Sequence, residues 1–169
     1  MPQIAIIFGS STGRTEEVAY KIQEILGAGV VLNVANLTKQ DVEPFKFLIL
    51  GTSTWGSGDL QDDWSDKKAL LAEIDFSQKQ VAFFGLGDQE AFPETFVDGM
   101  GELYLLIQKG GAKIAGSWAS DGYYFESSKA LVKGQLVGLA LDNDNQASST
   151  PERIAQWTKE LKKQWNWED

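Results

Sequence analysis

A net charge of −9 on 169 residues, with no cysteine and no histidine, removes whole classes of chemistry before any motif is read. Disulfide scaffolds, thiol nucleophiles and iron–sulfur ligation need Cys, while Ser-His-Asp catalysis, histidine-ligated haem and the common catalytic zinc sites need His. What remains is carboxylates, hydroxyls, backbone amides or a borrowed cofactor, in a chain whose length suits a single domain over residues 1–169.

Residues 3–8 open the chain with an apolar run that predicts a buried strand. It is too short to span a bilayer and lacks the basic flank and cleavage site of a signal peptide, so no membrane insertion and a cytoplasmic chain are expected. After a Ser/Thr/Gly loop, Val18, Ile22, Ile25 and Leu26 recur at helical spacing, and Gly27 and Gly29 close that helix. Residues 30–34 and 47–50 predict the second and third strands, the latter followed by a Gly/Ser/Thr/Trp loop. Leu70, Leu71 and Ile74 suggest a helix, residues 81–84 a fourth strand with a Gly-rich loop behind it. Phe96, Val97, Met100, Leu103, Tyr104 and Ile107 stripe the next helix, closed by Gly110 and Gly111. Residues 113–115 begin a fifth strand. The irregular stretch at 117–135 separates 112–116 from 136–141 and reads as an insertion within or beside that strand. Ile154, Trp157, Leu161 and Trp165 stripe a last helix, with Thr150 and Pro151 as cap and first-turn residue.

Strands alternating with helices predict an α/β fold: a doubly wound, five-stranded parallel sheet of order 2-1-3-4-5, covered by helices on both faces. In that order strands one, three and four are neighbours. The loops that follow them, at residues 10–15, 52–58 and 86–95, therefore meet at one end of the sheet.

The first loop, Ser10, Ser11, Thr12, Gly13, Arg14 and Thr15, stands between a strand and a helix start. Backbone N–H groups there form a cradle for an anion, the hydroxyls of Ser10, Thr12 and Thr15 add neutral donors, and Gly13 lets the chain curl closely. Ser/Thr-rich helix starts also occur with no ligand, so the loop alone leaves both readings open. A nucleotide-hydrolysing P-loop is disfavoured, because Gly9 to Gly13 is one residue short and Arg14 stands where Lys is required. The third strand also ends in Leu50, Gly51 and Thr52 with no acid to hold magnesium. The second loop, Ser53, Thr54, Trp55, Gly56, Ser57 and Gly58, sets a large aromatic among small polar residues. Several of the six Trp belong in a core, but Trp55 lies beyond the strand, where the face of a planar ligand suits it. The third loop runs through Leu86, Gly87, Asp88 and Gln89 to a second aromatic, Phe92. Two aromatics beside a phosphate cradle suit a flat, phosphorylated ring system such as FMN.

The charge is unevenly placed. Asp59, Asp62, Asp63 and Asp66, with Asp88, Glu90, Glu94, Asp98 and Glu102, fall in two stretches without Lys or Arg, leaving 15 acids against 15 bases elsewhere. This is either an uneven solvated surface or one acidic face for a basic partner. Nucleic acid, which needs a positive patch, is not an expected partner.

Taken together and in order, SSTGRT at 10–15, TW at 54–55, GLGDQ at 85–89, GSWASDG at 116–122 and LALDNDNQ at 139–146 resemble the motif set of the long-chain flavodoxins over nearly the whole chain. The resemblance implies a low-potential one-electron carrier, not an enzyme with its own turnover, whose FMN phosphate is held without a cationic side chain. By position, Ser10, Thr12 and Thr15 would supply hydroxyls and residues 11–15 amides. Trp55 would cover the inner ring face, and amides near Asp88 and Gln89 would meet the pyrimidine edge. The outer stacking position, typically Tyr in the family, is Phe92 here, which keeps the ring and loses the hydroxyl. The peptide between Gly56 and Ser57 would turn to favour the half-reduced flavin. The acidic surroundings would lower the second reduction potential, so neutralising Asp88 or Glu90 would raise it. Implied partners are basic-faced proteins such as a ferredoxin/flavodoxin-NADP reductase or a flavodoxin-reducing oxidoreductase, met by a monomer. The main alternative is an FMN-dependent NAD(P)H:quinone reductase, which shares the fold and the phosphate loop; a non-redox module that has lost its cofactor is a third.

Overall fold

A computed structural model describes residues 3–55 and 58–167. Its central sheet runs in the order β2 (Val30–Asn33), β1 (Ile4–Phe8), β3 (Phe47–Trp55), β5 (Gln80–Leu86) and β10 (Leu139–Leu141), all parallel. Counted by position, this is the expected 2-1-3-4-5. The fifth position is filled twice: β6 (Lys113–Ile114) pairs with Gln80 and Val81, and β10 pairs with Phe84 to Leu86 farther along the same strand. The chain between them carries β7 (Trp118–Ala119), β8 (Leu131–Val132) and β9 (Gln135–Leu136), a small antiparallel sheet of order β7-β9-β8. Two-residue strands are too brief to print an alternating pattern on a sequence, which is why this stretch reads as irregular.

Alternation along the buried strands feeds two cores, one on each face. Ile4, Ile6, Phe8, Ile49 and Phe84 pack with Val18 and Ile22 of α1 (Arg14–Leu26) and with Ile154, Trp157 and Leu161 of α6 (Thr150–Gln164). Ala5, Ile7, Leu48, Leu50 and Phe83 pack on the other side with Trp64 of α3 (Asp62–Asp66) and with Met100, Leu103 and Ile107 of α5 (Asp98–Lys109). Two short helices, α2 (Lys39–Val42) and α4 (Lys68–Glu73), and β4 (Asp59–Leu60), antiparallel to the end of β3, complete the elements.

Several boundaries differ from the sequence reading for physical reasons. Ile25 is 41% exposed, outside the α1 stripe made by Val18, Ile22 and Leu26. Phe96 and Val97 are buried but precede α5, which starts at Asp98. The third strand continues to Trp55 because Thr52 and Ser53 pair with Gly85 and Leu86, while Thr54 and Trp55 pair with β4. Thr150 lies inside α6 with Ser149 at the cap position, and its hydroxyl donates to Asn143 Oδ1 at 2.5 Å. The α3 turn around Trp64, unmarked by any stripe, is capped by Gln61, whose Oε1 accepts from the N–H groups of Asp63 and Trp64. Among the described residues no helix is long and apolar enough to cross a membrane.

Candidate functional site

A cavity of about 440 Å³ opens at the carboxyl ends of β1, β3 and β5. Thr12, Arg14 and Thr15 line it from the first loop, Ser53, Thr54 and Trp55 from the second, and Leu86, Gly87, Asp88 and Phe92 from the third. Asn143 and Asp144, from the loop after β10, close the fourth side. A groove of about 510 Å³ lies elsewhere, beside Lys39, Glu43, Lys46, Glu73 and Lys79. The buried amine of Lys79 already donates to the carbonyls of Val42, Glu43 and Phe45, so that groove offers no free buried donor and is the weaker candidate.

In the first loop, Gly13 adopts φ 88°, a left-handed conformation that glycine takes at little cost, and its N–H donates to Ser10 Oγ at 2.9 Å. The Ser10 hydroxyl proton stays available to a ligand. No side chain caps α1, and first-turn N–H groups have no partner inside a helix, so they face the space beside Thr12 and Thr15. Ser11 turns away, its Oγ accepting from Gln61 Nε2 at 3.2 Å. The guanidinium of Arg14 also turns away from this cradle and pairs with Asp144, Nη1 to Oδ1 at 2.9 Å. The cradle is built from neutral donors.

In the second loop, Trp55 is 42% exposed and its Nε1 donates to Ser53 Oγ at 2.7 Å, which fixes the plane of the indole. Thr54 Oγ1 accepts from the N–H of Gly99 at 2.9 Å, tying the loop to the start of α5. Gly58, at φ 103°, packs so closely on α5 that a Cβ there would lie 2.8 Å from Asp98 Oδ2. Gly56 and Ser57 lie outside the described residues.

In the third loop, the N–H of Gly87 donates to the Leu141 carbonyl at 3.0 Å and that of Gln89 to Asp142 Oδ2 at 3.1 Å. The Asp88 side chain holds the turn that follows: Oδ1 accepts from the N–H groups of Ala91 at 2.9 Å and Glu90 at 3.2 Å, and from Asn145 Nδ2 at 2.8 Å. The Ala91 N–H and the Asn145 amide together keep the Asp88 carboxyl below its usual range. The Phe92 N–H donates to the Asp88 carbonyl at 2.9 Å, and the ring stands 49% exposed. Among the described residues neither Trp55 nor Phe92 stacks on another aromatic ring.

The three loops picked out in the sequence thus meet, but their residues divide into walls and supports. Ser10, Ser11, Gly13, Gly58 and Gln89 shape the loops without lining the cavity; Gln89 is 2% exposed and points inward. Asn143 and Asp144, which do line it, carried no assigned role in the sequence reading. Their one signal was the run LALDNDNQ directly after the last strand.

Comparison with known proteins bears on what such a cavity holds. Residues 6–157 match the family described as Flavodoxin. The flavodoxin of Buchnera aphidicola subsp. Acyrthosiphon pisum is 46% identical over 164 residues, covering 95% of this chain and 96% of the relative. Flavodoxin 1 of Escherichia coli strain K12 is 45% identical over 159 residues, covering 92% of this chain and 90% of the relative. A crystal structure of Fusobacterium nucleatum flavodoxin bound to flavin mononucleotide superposes with a TM-score of 0.92 at 37% identity, covering 97% of this chain and 99% of that one. With a family match over residues 6–157 and a relative 46% identical across 95% of its length, the chain belongs to the flavodoxin family.

Proposed function

We propose that the chain binds FMN non-covalently in the cavity at the carboxyl ends of β1, β3 and β5, and carries single electrons at low potential between redox enzymes. One observation carries this reading: two exposed aromatic side chains, Trp55 and Phe92, line the same cavity as the uncapped start of α1. Large apolar rings without aromatic partners at a cavity wall fit the two faces of a planar ligand. A helix start with neutral hydroxyls fits a phosphate.

The roles follow from the local chemistry. Thr12 and Thr15 donate hydroxyls to the phosphate from the cavity wall, the first-turn N–H groups of α1 donate along the helix axis, and Ser10 holds the loop in shape by accepting from the Gly13 N–H. Trp55, held by Ser53, covers one ring face and Phe92, placed by the Asp88 turn, covers the other. The Asp88 N–H, which has no acceptor among the described residues, serves the polar edge of the ring. Bound FMN supplies the one-electron chemistry, which side chains cannot. The carboxylates of Asp88, Glu90 and Asp144 near the cavity resist the addition of negative charge and so lower the second reduction potential. They also draw in a basic-faced partner, such as a ferredoxin/flavodoxin-NADP reductase or a flavodoxin-reducing oxidoreductase, at a rate that falls with salt.

The test is an anaerobic, stepwise reduction of the protein reconstituted with FMN, followed by its visible spectrum. A distinct one-electron-reduced species between the oxidised and fully reduced spectra is expected. Direct two-electron reduction with NADPH–quinone turnover would point instead to a quinone reductase, and absence of FMN binding would overturn the site.

A further inference from the structure

Asp142 is completely buried, and no ion pair joins it to a cation among the described residues. Its carboxyl oxygens are instead filled by N–H donors. Oδ2 accepts from the Gln89 N–H at 3.1 Å, from Gln89 Nε2 at 2.8 Å and from Asn145 Nδ2 at 2.9 Å. Oδ1 accepts from the Asn145 N–H and from Asn145 Nδ2, each at 3.1 Å. None of these contacts asks the group for a proton, which is the pattern of an acceptor-only carboxylate. Burying such a group is costly unless its lone pairs are satisfied in this way.

The geometry around it has a direction. Successive N–H groups of an extended chain point to opposite sides. The N–H of Gly87 points to β10 and meets the Leu141 carbonyl at 3.0 Å. Two residues on, the N–H of Gln89 points the same way, but β10 has ended and the next acceptor is the Asp142 side chain. The carboxylate therefore prolongs the β5–β10 ladder by one rung beyond both strands. With residues 87 and 89 held to that side, the Asp88 N–H between them is left facing the cavity that Asp88 lines. The Gln89 side chain locks the rung: its Nε2 is on Asp142 and its Oε1 accepts from the N–H of Tyr124 in the insertion.

We infer that Asp142 is a positioning residue for the cofactor site: its carboxylate replaces a strand acceptor, holds the Gln89 N–H to the β10 side and so aims the Asp88 N–H at the ring edge of the flavin. The inference rests on the FMN reading above. It assigns to Asp142 the ring side of the site and leaves the phosphate side to the first loop, about whose hydroxyls Asp142 says nothing.

Riboflavin separates the two sides because it carries the ring without the phosphate. The experiment measures dissociation constants of FMN and of riboflavin by flavin fluorescence quenching, using the apo forms of the unaltered protein, Asp142→Asn and Asn145→Ala. Asn at 142 keeps the size but turns one acceptor into a donor that opposes the Gln89 and Asn145 N–H groups. Both ligands are expected to weaken by the same factor, about tenfold, in Asp142→Asn, leaving the ratio of the two constants unchanged. Partial unfolding of the apo protein would also weaken both ligands by one common factor, so the urea unfolding midpoint of each variant first fixes its folded fraction, and the affinities are compared per folded molecule. Amide resonances supply a second readout: in the apo variant, Gly87, Asp88 and Gln89 are expected to shift while Thr12 and Thr15 hold. Asn145 is exposed, so Asn145→Ala keeps the question answerable if Asp142→Asn fails to fold; a smaller loss in the same sense is expected. Unchanged riboflavin affinity in a folded variant overturns the inference. Failure of the unaltered protein to bind FMN overturns the flavin reading as well.

Discussion

Arg14 Nη1 lies 2.9 Å from Asp144 Oδ1, an ion pair that joins loops 130 positions apart in sequence across the wall of one cavity. The guanidinium sits one residue from Thr15 at the phosphate cradle, yet its charge is engaged by the loop after β10. Replacing Asp144 with Asn is expected to release Arg14 towards the phosphate. FMN should then bind more tightly at low salt, by about fivefold for an exposed pair of this kind, while riboflavin affinity stays level. Isothermal titration with both ligands at two salt concentrations checks this; an equal gain for riboflavin would contradict it.

Glu90 tests the acidic surroundings more cleanly than Asp88. The Asp88 side chain holds the turn that places Phe92, so neutralising it alters geometry as well as charge. Glu90 is exposed and contributes only its backbone N–H to that turn. Glu90→Gln is therefore expected to raise the second reduction potential and leave FMN affinity within about twofold, because only long-range repulsion is removed. Spectroelectrochemical titration reads the potential; a fall or no change would count against the electrostatic account.

Gly51 is fixed by packing, not by backbone conformation. A Cβ there would lie 1.9 Å from Phe84 Cζ, and Phe84 is fully buried between α1 and α6. The Gly51 carbonyl meanwhile accepts from the Gly9 N–H at 3.1 Å and Trp64 Nε1 at 2.9 Å, so the strand has no room to retreat. Gly51→Ala should cost about 3 kcal/mol of stability, at the upper end for an overpacked core. The midpoint of urea unfolding measures it, and an unchanged midpoint would refute the packing argument.

Asp98 gives stability a pH dependence of stated sign. It is 3% exposed at the start of α5, its Oδ1 accepts the Lys129 N–H at 2.7 Å, and Lys129 and Glu102 are its charged neighbours. Burial raises its carboxyl above the ordinary value in spite of that hydrogen bond. The folded chain therefore holds this proton more tightly than the unfolded chain. Its contribution favours folding at a pH below the ordinary carboxylate range and is lost as pH rises through the raised value. Asp98→Asn should remove that slope, so the variant gains on the parent as pH climbs from about 4 to about 7. Urea midpoints of both proteins across that interval test it; parallel curves would show that Asp98 titrates alike folded and unfolded.

The strand–helix alternation was legible because each buried strand is a continuous apolar run and each long helix carries its stripe, as Ile4 to Phe8 and Val18, Ile22 and Leu26 do. The loops were legible because Gly13, Trp55 and Phe92 are odd residues for the positions they hold. The insertion was legible only as an irregular stretch at 117–135 and not as a small sheet, since its strands are two residues long and its order comes from contacts such as Tyr123 to the Ala140 carbonyl. Nor was α3 legible: its Trp64 packs on Gly9, just past β1, and donates to the Gly51 carbonyl of β3.

Local pattern in the chain was enough to show that it alternates strand and helix, that unusual loops follow the first, third and fourth strands, and that no Cys or His chemistry is open to it. These are properties of composition and of local spacing, set by side-chain periodicity and backbone preference. Which loop residues form walls and which form supports, that Arg14 faces Asp144, and that Asp142 receives the Gln89 N–H became visible in the folded chain alone. Each of those depends on hydrogen bonds and ion pairs between segments 50 to 130 residues apart. Such pairings are fixed by the register of β5 against β10 and by the packing of the sheet, and no local pattern in the chain encodes them.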